Sequence, residues 1–314
     1  MDHKKRFAAL AACLIVLAPW LCAPPAQGQA ASQGPVITGN PAPNPEQIRT
    51  LITRAIENQH RDDIALQEYE RIEHKVAHAS GNSEGAIDIT ERVLPHTTGT
   101  FKLKTAEKGV PVSEETYRTE LQAALTTFGL ILNPGIHYKE DVAKFEKRRH
   151  DHAELVDEAE KAFRVTWAGW ETRSNSTGTH TYMKLLLDPN PKYEPINRLS
   201  AVFQHMHATI WVDEQQAQFA RAEADVATDI PFFGGVAGKV YHGGHVVMEQ
   251  EEAAPGIWLP TLYSCDVDGR KFVFAFGIHE RTDITRYRYI GPPAQAIAVV
   301  RNDLNNLKTV TSAR

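Results

Sequence analysis

Histidine offers this chain its clearest chance of site chemistry. Of 14 histidines in 314 residues, two short groups have spacings that could bring ligands together. In His205-Met206-His207 the alternation of a strand puts both imidazoles on one face. His242-Gly243-Gly244-His245 follows further along, across a glycine turn. A zinc ion takes three or four ligands at about 2 Å, commonly histidine nitrogens. His205, His207, His242 and His245 on two adjacent strands could meet that demand, with Asp213 as the nearby carboxylate. The spacing permits a metal site without requiring one, and histidines held by ordinary hydrogen bonds or facing solvent are the plainer reading. His150 and His152 stand two residues apart in a charged helical stretch and so face different directions.

Other reaction chemistry is missing. The sequence contains no Gly-x-Ser-x-Gly elbow, no His-Glu-x-x-His and no phosphate-binding glycine loop. Gly234-Gly235-Val236-Ala237-Gly238 is followed by no helical pattern that could hold a phosphate at its start, so it reads as a turn. Cys265 shares the strand parity of Leu259, Tyr263 and Val267, which makes it a buried small hydrophobe rather than a nucleophile. The chain reads as a non-enzyme with no cofactor.

The first thirty residues state a compartment. A mostly basic start, Asp2 to Arg6, precedes an uncharged apolar run from Phe7 to Leu21, and small residues follow from Ala23 to Ala30. That order is a secretory signal peptide, residues 1–30, with cleavage near Gly28 or Ala30 and export to the periplasm. Leu10-Ala11-Ala12-Cys13 spells a lipobox, but too few apolar residues precede Cys13 for a normal signal, so lipid anchoring there is not expected. Cys13 and Cys22 leave with the signal, and Cys265 alone has no disulfide partner within the chain. The net charge of −5 argues against a nucleic-acid partner, and 42% hydrophobic with 23% charged residues suits a globular core.

The elements that must position any site follow from patterning. Residues 31–44 form a polar, Pro-rich linker read as disordered. Asn44 is placed to cap a helix, with Pro45 in the first position and Gln47 closing a capping box; Ile48, Leu51, Ile52, Ala55 and Ile56 form its apolar stripe. Residues 69–78 and 86–94 read as strands around a turn-rich 80–85 segment, and 101–104 as a third strand. Ser113 caps a helix to Phe128, and 140–161 is a second, densely charged helix with a solvated face. The second half reads as strand after strand: 163–167, 181–187, 208–212, 239–242, 245–251, 258–267, 271–278 and 284–289, with Asp268-Gly269 as a hairpin turn. A helix from Ala294 to Leu307 ends the chain. Residues 215–227 are helical by propensity, yet as a strand they place Ala220, Ala222, Ala224 and Val226 on one face.

The run from Ala208 through Trp211-Val212-Asp213 and back along Gln218 to Ala224 resembles a strand pair of the bacterial outer-membrane lipoprotein carrier superfamily, which includes lipoprotein-sorting proteins and envelope-stress sensors. Gly234-Gly235 to Gly238, Gly256-Ile257-Trp258-Leu259-Pro260 and Arg286-Tyr287-Arg288-Tyr289 are similar to its glycine turn, strand entry and closing strand. The resemblance covers residues 69–289 and decides 215–227 as strand. It implies an α+β fold: a half-open antiparallel β-barrel covered by helices, forming one domain over 45–314, with 113–161 as a helical insertion longer than a typical carrier has. An apolar cavity would be lined by Trp211, Phe219, Trp258, Tyr263, Phe272, Phe274 and Phe276, with Arg221 and Arg286 at the mouth selecting a head group. The expected partner is a lipid or lipidated protein, with only transient contact to a membrane surface. An envelope interaction or sensor module using the helical region, and a metal-dependent enzyme on the four-histidine set, are the alternatives.

Overall fold

A computed structural model describes residues 41–79, 82–175, 178–232 and 238–312. The signal segment 1–30, Cys13, linker residues 31–40 and most of the 234–238 glycine run lie outside the described residues.

The first helix, α1 (Pro45–Ala65), starts as its residues dictate. Asn44 Oδ1 accepts from the Gln47 amide at 2.9 Å, and Gln47 Oε1 accepts from the Asn44 amide at 2.8 Å, a reciprocal capping box ahead of Pro45. Four strands follow: β1 (Tyr69–Ala79), β2 (Asn82–His96), β3 (Gly99–Glu107) and β4 (Val110–Pro111). Residues 82–85, expected in a turn, belong to β2. Helices α2 (Glu114–Leu132) and α3 (Ile136–Ala162) come next, with the Ser113 hydroxyl accepting from the Thr116 amide as the cap of α2. The remaining strands are β5 (Phe163–Asn175), β6 (Gly178–Pro189), β7 (Met206–Asp213), β8 (Gln218–Val226), β9 (Ile230–Phe232), β10 (Gly238–Val240), β11 (His245–Ala254), β12 (Ile257–Lys271) and β13 (Phe274–Tyr289). Helix α4 (Ala296–Ser312) ends the fold. No helix among the described residues is long and apolar enough to cross a membrane.

All strands belong to one 13-stranded antiparallel sheet in the order β4-β3-β2-β1-β13-β12-β11-β8-β7-β6-β5, with β10 pairing both β12 and β9. It is not closed into a barrel: β4 and β5 form its two edges. The chain enters mid-sheet at β1, runs out to β4, and returns from β5 so that β13 pairs β1. The helical region 113–161 is therefore the link between the two edges. At 27 residues, α3 alone is about 40 Å long, enough to pass many strands spaced about 4.8 Å apart.

Cross-strand partners share a face, so the register carries each face across the sheet. On one face Leu51, Ile52 and Ala55 of α1 pack on Trp170, Met183, Leu185, Ile210, Val212 and Ala222. On the same face, further along the sheet, Ala224, Val226, Val246, Tyr263, Cys265 and Val267 are closed over by Val202 from the 3-10 helix Ser200–His205 and by Ile230 and Val240 of the β9–β10 arm. On the opposite face, Leu94 and Leu103 of β2 and β3 pack on Leu121, Ala124 and Phe128 of α2 and on Ala296, Ile297 and Val300 of α4. The two ends of the sheet are thus covered by helices on opposite faces.

Residues 215–227 show pairing overruling propensity. β8 lies between β7 and β11, so both neighbours satisfy its backbone, and its buried alanines alternate with Arg221, Glu223 and Asp225. Two expectations about the next hairpin fail. Asp268-Gly269 is not a turn but lies within β12, opposite Gly277 and Phe276. Gly269 is there for closeness: a Cβ would sit 2.5 Å from the Lys239 carbonyl of β10 and 2.6 Å from the Phe276 ring. The turn falls instead at Phe272-Val273, and residues 271–278 and 284–289 are parts of one long arm rather than two strands.

Candidate functional site

The four histidines do not gather around one point. His205 Nδ1 lies 2.8 Å from Thr228 Oγ1, and His242 Nδ1 lies 2.9 Å from Asp229 Oδ1. His207 Nδ1 is 2.6 Å from Asp188, and His245 Nδ1 is 2.7 Å from Asp225. Among the described residues no group of three or more His, Cys, Asp or Glu side chains is placed to hold a metal ion.

The register creates a different arrangement. His207 stands opposite Asp225, Asp225 opposite His245, His245 opposite Asp266, and Asp266 opposite His279. With Asp188 beside His207, acid and imidazole alternate along one row across six strands. The row lies on the face away from α1, the same face that carries Trp211 and Val247. Each strand contributes one residue, so no local spacing in the sequence announces it.

The nine residues expected to line a cavity are divided among several surfaces. Tyr263 and Phe276 belong to the apolar cluster on the α1 side, and Phe219 packs against the α1 cluster. Trp211 and Arg221 are on the opposite face. There the Trp211 indole N–H donates to Glu171 Oε2 at 2.6 Å, and its ring is flanked by Lys184, Arg173 and Arg221 at 4.9, 5.5 and 5.6 Å from the centroid. Arg221 in turn pairs with Glu223 and Glu249. Burial alone would raise the Glu171 carboxyl, but hydrogen bonds from Arg173 and Trp211 hold it below the usual range. Trp258 packs with Trp211, Tyr182 and Ala220. Phe272 and Phe274 stand exposed at the tip of the β12–β13 hairpin, and Arg286 is an exposed residue with φ of 56°.

Along the α1-side face, the apolar surface gives way to buried charge at β1–β3. Glu73 is fully buried, with Arg71 Nε at 2.8 Å from one carboxylate oxygen and Lys102 Nζ at 2.8 Å from the other. Lys102 also reaches Glu91 at 3.3 Å. Burial pushes the Glu73 carboxyl up, and the two cations more than reverse this, holding it low. The sequence signal was available: Arg71 and Glu73 occupy the parity of buried Ala77, so charge sits where a one-sided sheet would place apolar residues. This face therefore offers a long apolar zone beside a polar, charge-balanced zone.

The chain matches no family model and no curated protein. Two solved structures are similar to it. One is a domain described as outer membrane lipoprotein-sorting, from Vibrio parahaemolyticus, with 8% identity, 76% of this chain and 93% of that chain covered, and a TM-score of 0.26. The other is a DUF1329 family protein from Desulfovibrio piger, with 11% identity, 77% and 93% covered, and a TM-score of 0.25.

Proposed function

We propose that this protein is a non-enzymatic, exported binding protein that takes an acyl chain, of a lipid or a lipidated protein, against the α1-side face of its unclosed sheet, which acts as a half-barrel. One observation supports this reading above the others. The apolar surface of β8, β11, β12 and β13 is closed by Val202 from a six-residue 3-10 helix and by two three-residue strands, not by a packed α-helix. A cover of that kind is displaced at lower cost than a helix with a long buried stripe. An acyl chain entering in its place would gain about 25 cal/mol per Å² of apolar surface buried. The buried ionic zone at Arg71, Glu73 and Lys102 stands at the far end, where a polar head group would lie.

Native mass spectrometry of gently purified protein tests this. The expected result is a discrete lipid adduct that a fluorescent fatty acid displaces. Protein that carries no adduct and takes up no fatty acid would overturn it.

A further inference from the structure

β12 and β13 stay paired without interruption from Leu262–Asp283 out to Lys271–Phe274, where two residues turn the chain. A two-residue hairpin turn needs positive φ at its first position, and glycine, asparagine or aspartate normally supplies it. Here that position is Phe272, at φ of 53°. A bulky side chain held in the left-handed region is backbone strain at an otherwise regular hairpin.

The strained residue also contributes nothing to the core. Phe272, Val273 and Phe274 are 52%, 87% and 74% exposed, three consecutive large apolar side chains in water. Scattered apolar residues on a surface are ordinary, but a contiguous projecting group is not. Behind the tip the hairpin is firmly rooted. Phe276 and Ile278 pack on the apolar cluster, and Gly269 lets β10 and the Phe276 ring close in. The flank leading into the turn is cationic: Arg270 and Lys271 precede it, and no carboxylate occurs in the sequence between Asp268 and Glu280, while Lys239, opposite Arg270 on β10, is paired with Asp229.

We propose that the Phe272-Val273-Phe274 tip is a wedge that docks this protein onto an anionic lipid bilayer. The three side chains enter the boundary between head groups and acyl chains, while Arg270 and Lys271 face the phosphates. Such a division of apolar insertion and cationic contact is how peripheral elements hold to anionic membranes. A protein partner fits less well, because a stable protein interface takes about 20–30 residues from each side and this tip offers three. The inference rests on the hairpin alone and does not require an acyl chain in the sheet.

Vesicle flotation tests it with the purified protein. Vesicles containing phosphatidylglycerol should carry the protein up, and pure phosphatidylcholine vesicles should carry far less. The double variant Phe272→Gly/Val273→Asn places turn-forming residues in the same backbone, so it should keep or raise the melting temperature while flotation falls at least tenfold. Arg270→Gln/Lys271→Gln should lower binding to the anionic vesicles and flatten its salt dependence. Wild-type protein that floats with neither vesicle, or a folded Phe272→Gly/Val273→Asn variant that floats as well as wild type, would overturn the proposal. Concentration-dependent self-association lost in that variant, with no vesicle binding, would assign the tip to a second copy of the chain instead.

Discussion

The two ends of the β12–β13 hairpin carry similar aromatic sequence and meet opposite fates. At the base, Trp258 is 1% exposed. Its backbone N–H donates to Asp62 Oδ2 at 3.2 Å and its indole N–H to Gln216 Oε1 at 3.0 Å. Arg61 donates to the Gly256 carbonyl, and the Tyr287 hydroxyl donates to the Pro260 carbonyl. Burial pushes the Asp62 carboxyl and the Tyr287 hydroxyl upward. At the tip, Phe272 and Phe274 have no such neighbours to bury them. The residues do not differ in hydrophobicity so much as in what reaches them: the C-terminal turns of α1 meet the base, and no helix extends to the tip. An aromatic strand residue becomes core only where a second element arrives.

The comparison breaks most visibly at the base. Trp258→Ala should cost about 3–5 kcal/mol in chemical denaturation, because it opens a cavity against Trp211, Tyr182 and Ala220 and leaves Gln216 Oε1 without the indole N–H. A loss below about 1 kcal/mol would mean that the base is no better anchored than the tip. Beside it, Arg71→Ala should cost about 3 kcal/mol, since Glu73 would keep its burial and lose one of its two cations.

Acidification should act on the same end. Glu73 and Glu70 are both pushed upward by burial, an effect outweighed by Arg71 and Lys102 for the first and by Arg288 and Arg92 for the second, so their folded pKa values lie below the unfolded ones. Their stabilisation is then complete above the unfolded value of about 4.3 and is lost as pH falls through the folded one. The melting temperature should drop below about pH 4, and Glu70→Gln, already less stable at neutral pH, should show a shallower drop.

Just behind the tip of the hairpin, Gly269→Ala should cost about 1–3 kcal/mol, because the added carbon meets the Lys239 carbonyl and the Phe276 ring. The smallest effect belongs to the tip: Phe272→Gly should stabilise by about 0.5 kcal/mol, as relief of the left-handed strain slightly exceeds the added chain entropy of glycine. A measurable destabilisation there would show that the tip packs on something after all.

Legibility in the sequence tracked distance along the chain. The capping box at Asn44 and Gln47, the cap at Ser113, the buried parity of Cys265 and the alternation in β8 depend on residues within a few positions of each other, and each is present. Asp268-Gly269 misled because the same two residues that favour a turn also serve where a neighbouring backbone needs room. The nine candidate lining residues were chosen by type, and type does not say which face of the sheet they join or whether anything covers it.

By itself the sequence determined an α+β chain rich in antiparallel strands, the capped starts of α1 and α2 and the buried parity of Cys265 and the β8 alanines, because these follow from periodicity and from side chains bonding to nearby backbone. Only the tertiary structure decided that His207, Asp225, His245, Asp266 and His279 stand in one row, that Glu73 is buried between Arg71 and Lys102, and that Phe272 to Phe274 project into water. Sheet pairing sets such neighbours across many residues of chain, and the register that joins them comes from the packing of the whole sheet against its helices.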